Sequence, residues 1–360
     1  MLDPCRFVHQ LADQDFTHLC VVPCSFAKHL INAALNSGRL EYLPAANEGV
    51  ACSVAAGLKL AGRKPLVIAQ SSGLTNMGSC ITSLLKPYGI PLAILVSWRS
   101  YQPGSSEIQH QHLATALPEL IHAYGLPHEF LDQENLGQAV AQLASADQTG
   151  TLVVLRKETF APTALNPQHQ PDLGHYLPRG RFLQLLHARY RGTPTVFIGT
   201  TGHTVREMAA MMPQTRNFAM AGNMGGALSI GLGAALAGCR VMVCGGDAEF
   251  VMHMGGLATA GRYGNMPGHL TYLVFDNESN KSTGGQPTQQ RHLDYRGVAA
   301  ACGFHVFPET VYTETEFEAA LAVTEQAAAP SLIHIKCAYD AEMPRPGADA
   351  IIASKKFFAP

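Results

Sequence analysis

Two acidic or amide side chains sit where a hard cation could be held. The run 241–247 is apolar, then glycine-rich, and delivers Asp247 to what reads as a strand end, behind Gly245 and Gly246. About 30 residues on, a second apolar run over 270–275 ends in Asp276, Asn277, Glu278 and Ser279. Adjacent parallel strands would bring Asp247 and Asn277 to one edge. A Mg²⁺ ion takes octahedral oxygen ligands, commonly one or two protein side chains plus phosphate oxygens and water. Asp247, the Asn277 side-chain oxygen and a backbone carbonyl near Ser279 would supply three, and Gly246 would let backbone approach a phosphate. The alternative is an acidic strand end and a turn asparagine on an unrelated doubly wound sheet.

Other chemistry-bearing residues lie elsewhere. Glu48 opens an apolar helix behind Asn47, where the helix dipole favours a carboxylate and apolar neighbours suit proton exchange. Gly222 and Met224 belong to a glycine-rich run that starts a small-residue helix; close packing alone would also explain it. Arg99 follows an apolar run, and Ser25 and Lys28 open a helical pattern, with Ser25 expected as its N-cap. These three, with His110 or His112 and Lys281, are the candidates for binding an anion, since arginine suits bidentate oxyanion recognition and histidine can hold a proton near neutrality.

The elements that must position these residues alternate. Strands are expected over 18–22, 41–45, 65–69, 91–96 and 151–155, then over 195–198, 241–244, 270–275 and 331–335. Helices are expected over 25–36, 47–60, 74–85, 181–189, 227–237, 250–263 and 314–327. Short apolar runs separated by longer helical patterns imply two α/β domains, each with a doubly wound parallel sheet. A stretch over 160–180 with four prolines reads as a linker, giving domains 1–160 and 181–360 around a linker at 161–180. Ligands of such sheets bind beyond the carboxyl ends of the strands.

The chain has 360 residues, 47% apolar and 14% charged, with net charge −2. That balance indicates neither a nucleic-acid nor a membrane-surface partner. The most apolar stretch, 224–239, is too short to span a bilayer. Nine cysteines without a CxxC pair, and no export signal, lead to the expectation of free thiols in the cytoplasm.

Taken together, these motifs resemble the phosphonopyruvate decarboxylases, which depend on thiamine diphosphate (ThDP) and Mg²⁺; sulfopyruvate decarboxylases are near relatives. The resemblance runs through Val22-Pro23, Ser25, the run 45–49, Ser72 to Leu74, Asn76, Trp98-Arg99, Glu107, Gln109-His110, the run 282–288, 344–346 and 355–358. It implies two ThDP-binding domains without the middle domain of larger relatives. It implies that Glu48 bonds the aminopyrimidine N1′, that the Gly222 carbonyl takes the exocyclic amine, and that Met224 props the thiazolium. Gly246, Asp247, Ala248 and Asn277 would line the diphosphate, with Asp247, Asn277 and Ser279 on the metal. The substrate would be a small anionic 2-oxo acid, contacted by Ser25, Lys28, Arg99, His110 and Lys281, with His110 the proton donor. A homodimer or homotetramer with active sites at its interfaces follows from the same likeness.

Departures from the family pattern are Ala248 in place of a glycine, Cys24 and Ser106 in place of aspartates, and Ser97 and Ser100 in place of glycines. Ala248 is compatible only with a negative φ. The competing readings are a sulfopyruvate decarboxylase, a ThDP carboligase and a regulatory subunit with a degenerate site. A nucleotide-binding Rossmann protein is disfavoured by the lack of a GxGxxG after a first strand.

Overall fold

The computed structural model describes residues 1–102, 107–132, 134–145, 150–327 and 330–358. The chain divides into two compact units, Met1–Gln170 with Ser279–Pro287, and Pro171–Glu278 with Thr288–Pro360.

In the first unit the strands are β1 (His18–Val21), β2 (Glu41–Pro44), β3 (Pro65–Gln70), β4 (Ala93–Ser97), β5 (His128–Leu131) and β6 (Thr151–Leu155). They form one parallel sheet in the order β2-β1-β3-β4-β6-β5. Alternate residues of each inner strand feed two separate cores. Leu19, Leu66, Ile68, Leu95 and Val153 face one. Cys20, Val67, Ala69, Ile94 and Leu152 face the other. A sheet buried on both faces needs the uninterrupted apolar runs seen here.

The second unit repeats this plan with β7 (Val196–Gly199), β8 (Arg216–Ala219), β9 (Arg240–Gly246) and β10 (His269–Asp276). A short antiparallel hairpin follows, β11 (Ser279–Asn280) and β12 (Gln286–Pro287), which groups with the first unit. Then come β13 (His305–Val306) and β14 (Ser331–Lys336), and the second sheet reads β13-β14-β10-β9-β7-β8. Met242, Leu273 and Ile333 face one core; Val243, Tyr272 and Leu332 face the other. The fold class is thus two parallel-sheet α/β units with no middle domain between them.

The sequence reading did not include the hairpin of β11 and β12, and the strands it lacked in the two main sheets, β5, β8 and β13, all lie at edges. They carry polar, partly exposed residues, so they lack the apolar run that marks a central strand. Two helices differ as well. The stretch expected over 74–85 runs from Ser71 to Tyr88 with a π turn at Ile81–Leu85. The stretch expected over 250–263 splits into Asp247–Met252 and Gly255–Gly261, broken at His253. Among the described residues, no helix is long and apolar enough to cross a membrane.

Candidate active site

In the first unit the candidate residues gather at the carboxyl ends of β1 to β4. Glu48 begins the Glu48–Leu60 helix, capped by Asn47, whose side chain accepts from the Val50 N–H at 3.0 Å. Its carboxylate is buried, and Asn76 Nδ2 donates to Glu48 Oε2 at 2.8 Å. Gly73 packs against the same carboxylate: a Cβ there would lie 2.5 Å from Glu48 Oε1. Gly73 and Asn76 both belong to the short Ser71–Asn76 helix that follows β3.

That helix also anchors Arg99, whose backbone N–H donates to Ser71 Oγ at 3.3 Å. The Arg99 guanidinium is buried and stacked 4.1 Å above the Phe26 ring. It donates to Ser25 Oγ and, from Nη2, to both carboxylate oxygens of Glu107, the contact to Oε2 being 2.6 Å. Ser25 is therefore not the expected N-cap. The Lys28–Ser37 helix starts at Ala27 without a side-chain cap, because the charged donor Arg99 holds the serine hydroxyl. Cys24 Sγ meets Ser97 Oγ at 2.8 Å, and Arg99 Nη1 reaches Cys24 Sγ at 3.8 Å, so two of the departures from the family pattern touch each other. Ser100 has φ 55°, a left-handed conformation in which glycine is the easier residue. Ser106 lies outside the described residues.

His110 is buried in the first turn of the Ile108–Ala123 helix, its N–H donating to the Glu107 carbonyl at 2.9 Å. Trp98 Nε1 donates to Ala114 O at 2.9 Å and ties that helix to the end of β4. His112 is exposed. Lys28 is half-buried against Gly284 of the hairpin, and Lys281, exposed, opens the 3₁₀ turn Lys281–Thr283. Within the hairpin Gly284 and Gly285 have φ 131° and 84°, and buried Gln286 donates to Asn32 Oδ1 at 2.8 Å.

In the second unit Asp247 and Asn277 lie at the carboxyl ends of neighbouring strands, where β9 and β10 pair with Gly246 opposite Phe275. Both side chains are buried. Burial and the adjacent Asp276 carboxylate push Asp247 up to about 7, while Thr288 Oγ1 donates to Asp247 Oδ2 at 3.0 Å. Thr288 closes the run 282–288. Against the burial that would raise it, His334 and Lys336 hold Asp276 below the usual carboxylate range. Ala248 sits in the first turn of Asp247–Met252 and is not among the residues of positive φ, so its methyl group is accommodated. A Cβ on Gly246 would meet nothing closer than 3.8 Å, which leaves space over that residue. Gly222 and the half-buried Met224 occupy a tight turn in which Asn223 has φ 56° and Gly225 φ 93°.

Sequence reasoning passed over Glu249. This buried carboxylate accepts from the Ala227 N–H at 3.2 Å, and the Gly225 and Gly246 N–H groups face it. It thus joins the 222–226 turn to the end of β9, and burial pushes it up to about 7. A carboxylate two residues after Asp247, among Phe250, Val251 and Met252, was the available signal.

Family models fit both units. The N-terminal TPP-binding domain of thiamine pyrophosphate enzymes matches residues 6–119, and the C-terminal TPP-binding domain of the same enzymes matches residues 198–335. The phosphonopyruvate decarboxylase of Streptomyces viridochromogenes is 31% identical over 93% of this chain and 88% of its own. The chain belongs to the ThDP-dependent 2-oxo-acid decarboxylases. A phosphonopyruvate decarboxylase of Streptomyces hygroscopicus is likewise 31% identical, over 94% of this chain and 87% of its own. The sulfopyruvate decarboxylase of Methanosarcina acetivorans is 27% identical over 78% of each chain. The segments matched in this ThDP decarboxylase contain Glu48 in one case and Asp247 and Asn277 in the other.

The residues present fit ThDP with a divalent cation. Asp247 and Asn277 offer hard oxygen donors, and the buried Asp247 carboxylate beside Asp276 is raised in a way that a bound cation would relieve.

Proposed function

We propose that this decarboxylase converts 3-phosphonopyruvate to phosphonoacetaldehyde and CO₂. The observation that carries this substrate is the likeness, over nearly the full length of both chains, to phosphonopyruvate decarboxylases of two Streptomyces species. In this reading Asp247, Asn277 and the Ser279 carbonyl would hold Mg²⁺, with Gly246 and Ala248 beside the diphosphate, the Gly222 carbonyl at the pyrimidine's exocyclic amine and Met224 propping the thiazolium. Bound ThDP supplies an electron sink for the carbon–carbon bond that breaks. Glu48 exchanges a proton with the aminopyrimidine nitrogen, and Asn76 fixes Oε2 so that the carboxylate keeps one orientation. Arg99, steered by Ser25 and Glu107, sets a positive charge at the strand ends; Lys28 and Lys281 add charge for a dianionic group. His110 holds the proton that the product carbon receives.

The active unit in this reading is a homodimer or homotetramer of cytoplasmic subunits, with the Glu48 half of one subunit facing the Asp247 half of another. Sulfopyruvate is the second candidate substrate, favoured by the Methanosarcina likeness. The test is CO₂ release from phosphonopyruvate, sulfopyruvate and pyruvate, each with ThDP and Mg²⁺. Preference for phosphonopyruvate supports the reading. Preference for sulfopyruvate, or turnover of none, overturns it.

A further inference from the structure

Cys52 and Cys80 lie one helical turn beyond the pair that holds Glu48. The Glu48–Leu60 helix packs against the helical stretch after β3, and the approach is close. A Cβ on Gly49 would lie 3.4 Å from the Asn76 carbonyl oxygen, and Ser53 Oγ reaches Cys80 Sγ at 3.8 Å. Counting four residues on from Glu48 gives Cys52, and four on from Asn76 gives Cys80. Residues so spaced share a helix face. The register that joins Asn76 to Glu48 at 2.8 Å therefore also brings the two thiols to facing positions on the same pair of helices.

The two sulfurs differ in kind. Cys52 is fully buried, whereas Cys80 is half-exposed and stands immediately before the π turn Ile81–Leu85, a geometry common at functional sites. The neighbouring Cys52 thiol holds Cys80 down to about 7, and that neighbour together with burial drives Cys52 up. One thiol is thus accessible and readily ionised; its neighbour is sheltered and protonated.

We propose that Cys52 and Cys80 form a redox-active pair, closed to a disulfide by a peroxide, that displaces Glu48 from Asn76. The Cys80 thiolate attacks one peroxide oxygen, the O–O bond breaks, and the departing hydroxide takes up the proton Cys80 lost. Cys80 is now a sulfenic acid. The Cys52 sulfur then attacks the Cys80 sulfur; the S–S bond forms, the S–O bond breaks, and the hydroxyl leaves as water with the Cys52 proton. Two thiols give up two electrons and two protons, and the peroxide is reduced to two waters. A disulfide draws its sulfurs to about 2 Å, well inside the contact distance of two unbonded sulfurs, so closure pulls the two helices together by roughly 1–2 Å at this point. Formation of the bond is independent of the proposed substrate; only its effect on turnover rests on Glu48 having the role given above.

The experiment uses the full-length protein treated with hydrogen peroxide, alkylated with iodoacetamide and digested without reduction. Mass spectrometry is expected to find the Cys52 and Cys80 peptides cross-linked, with both separately alkylated after dithiothreitol. CO₂ release is expected to fall at least about tenfold on oxidation and to return with dithiothreitol. Cys80→Ser is expected to keep its activity under peroxide. Cys52→Ser is expected to leave a sulfenic acid on Cys80 that dimedone labels. Separately alkylated thiols after peroxide overturn the pair, and equal inactivation of Cys80→Ser overturns the control of turnover. If the reduced protein turns over no oxo acid, the functional reading fails while peptide mapping still decides the disulfide.

Discussion

Replacing Gly73 by alanine alters no proposed functional side chain, yet it must move one. The new Cβ would fall 2.5 Å from Glu48 Oε1, 2.6 Å from Cγ and 2.7 Å from Cδ. Ordinary carbon contacts are about 3.5–4 Å, so the Glu48 side chain has to retreat by roughly 1 Å. It is only 2% exposed, so solvent does not offer it an easy way out. Gly73 is helical with φ outside the left-handed region, so alanine on its own would favour the helix by about 1 kcal/mol. Against this stand about 1–3 kcal/mol of overpacking and about 1.5–3 kcal/mol for loss of the Asn76 bond to a carboxylate. The net expectation is a loss of about 2–4 kcal/mol in stability and, for a 1 Å misplacement, about 10²-fold in CO₂ release. The control is Gly57→Ala on the Glu48 helix itself, where a Cβ meets nothing within 4 Å. Thermal unfolding and initial rates on both variants make the comparison. If Gly73→Ala matches Gly57→Ala in both, the packing argument for Glu48 is wrong.

Three further predictions concern charge. Glu107→Ala leaves the buried Arg99 guanidinium without its carboxylate and is expected to cost about 3 kcal/mol in urea unfolding, whereas the apolar double replacement Arg99→Met with Glu107→Leu should cost less. Glu249 has a raised pKa, so the folded state binds its proton more tightly than the unfolded chain does. Its contribution to stability is present below the ordinary value of 4.5 and is lost as pH rises towards about 7, by about 3 kcal/mol in all. Unfolding of the cofactor-free protein at pH 5 and pH 8 should show this slope together with that of Asp247, which is also raised to about 7, and Glu249→Gln should remove the share that belongs to Glu249. Mg²⁺ with ThDP at a hundredfold over its dissociation constant should stabilise the protein by about 2.7 kcal/mol. EDTA should remove that gain, and Asp247→Asn should abolish it in calorimetry.

Both sheets were legible because their inner strands are buried on two faces and must be apolar throughout: β6 stands out by Leu and Val, the core of β9 by Val, Met and Cys, and that of β10 by Leu, Val and Phe. The edge strands β5, β8 and β13 were not, since His128-Glu129 and Arg216-Asn217 carry no such mark, whereas β2, at the remaining edge, was. At the site, Glu48, Asp247 and Asn277 were visible because each ends a strand or opens a helix. The engagement of Arg99 by Glu107 was not visible, because it depends on a carboxylate eight residues away folding back onto a guanidinium that lies over Phe26. Ser25 misled for a related reason: a hydroxyl near a helix start suggests a cap, and only the fold shows a charged donor competing for it. The contact of Cys24 with Ser97 joins residues 73 positions apart, beyond any local pattern.

The Ser71–Asn76 helix carries two loads in six residues. Its first residue steadies the backbone of Arg99, and its third and last confine Glu48. A mutation there changes both, so the setting of Arg99 cannot be altered through this helix without also disturbing the carboxylate. Cys24, Ser97 and Ser100 adjoin Arg99 from other segments and are free of that bond. On the roles proposed above, change in substrate preference is expected at the end of β4 and in the segments after β1 and β4 rather than in the helix between them.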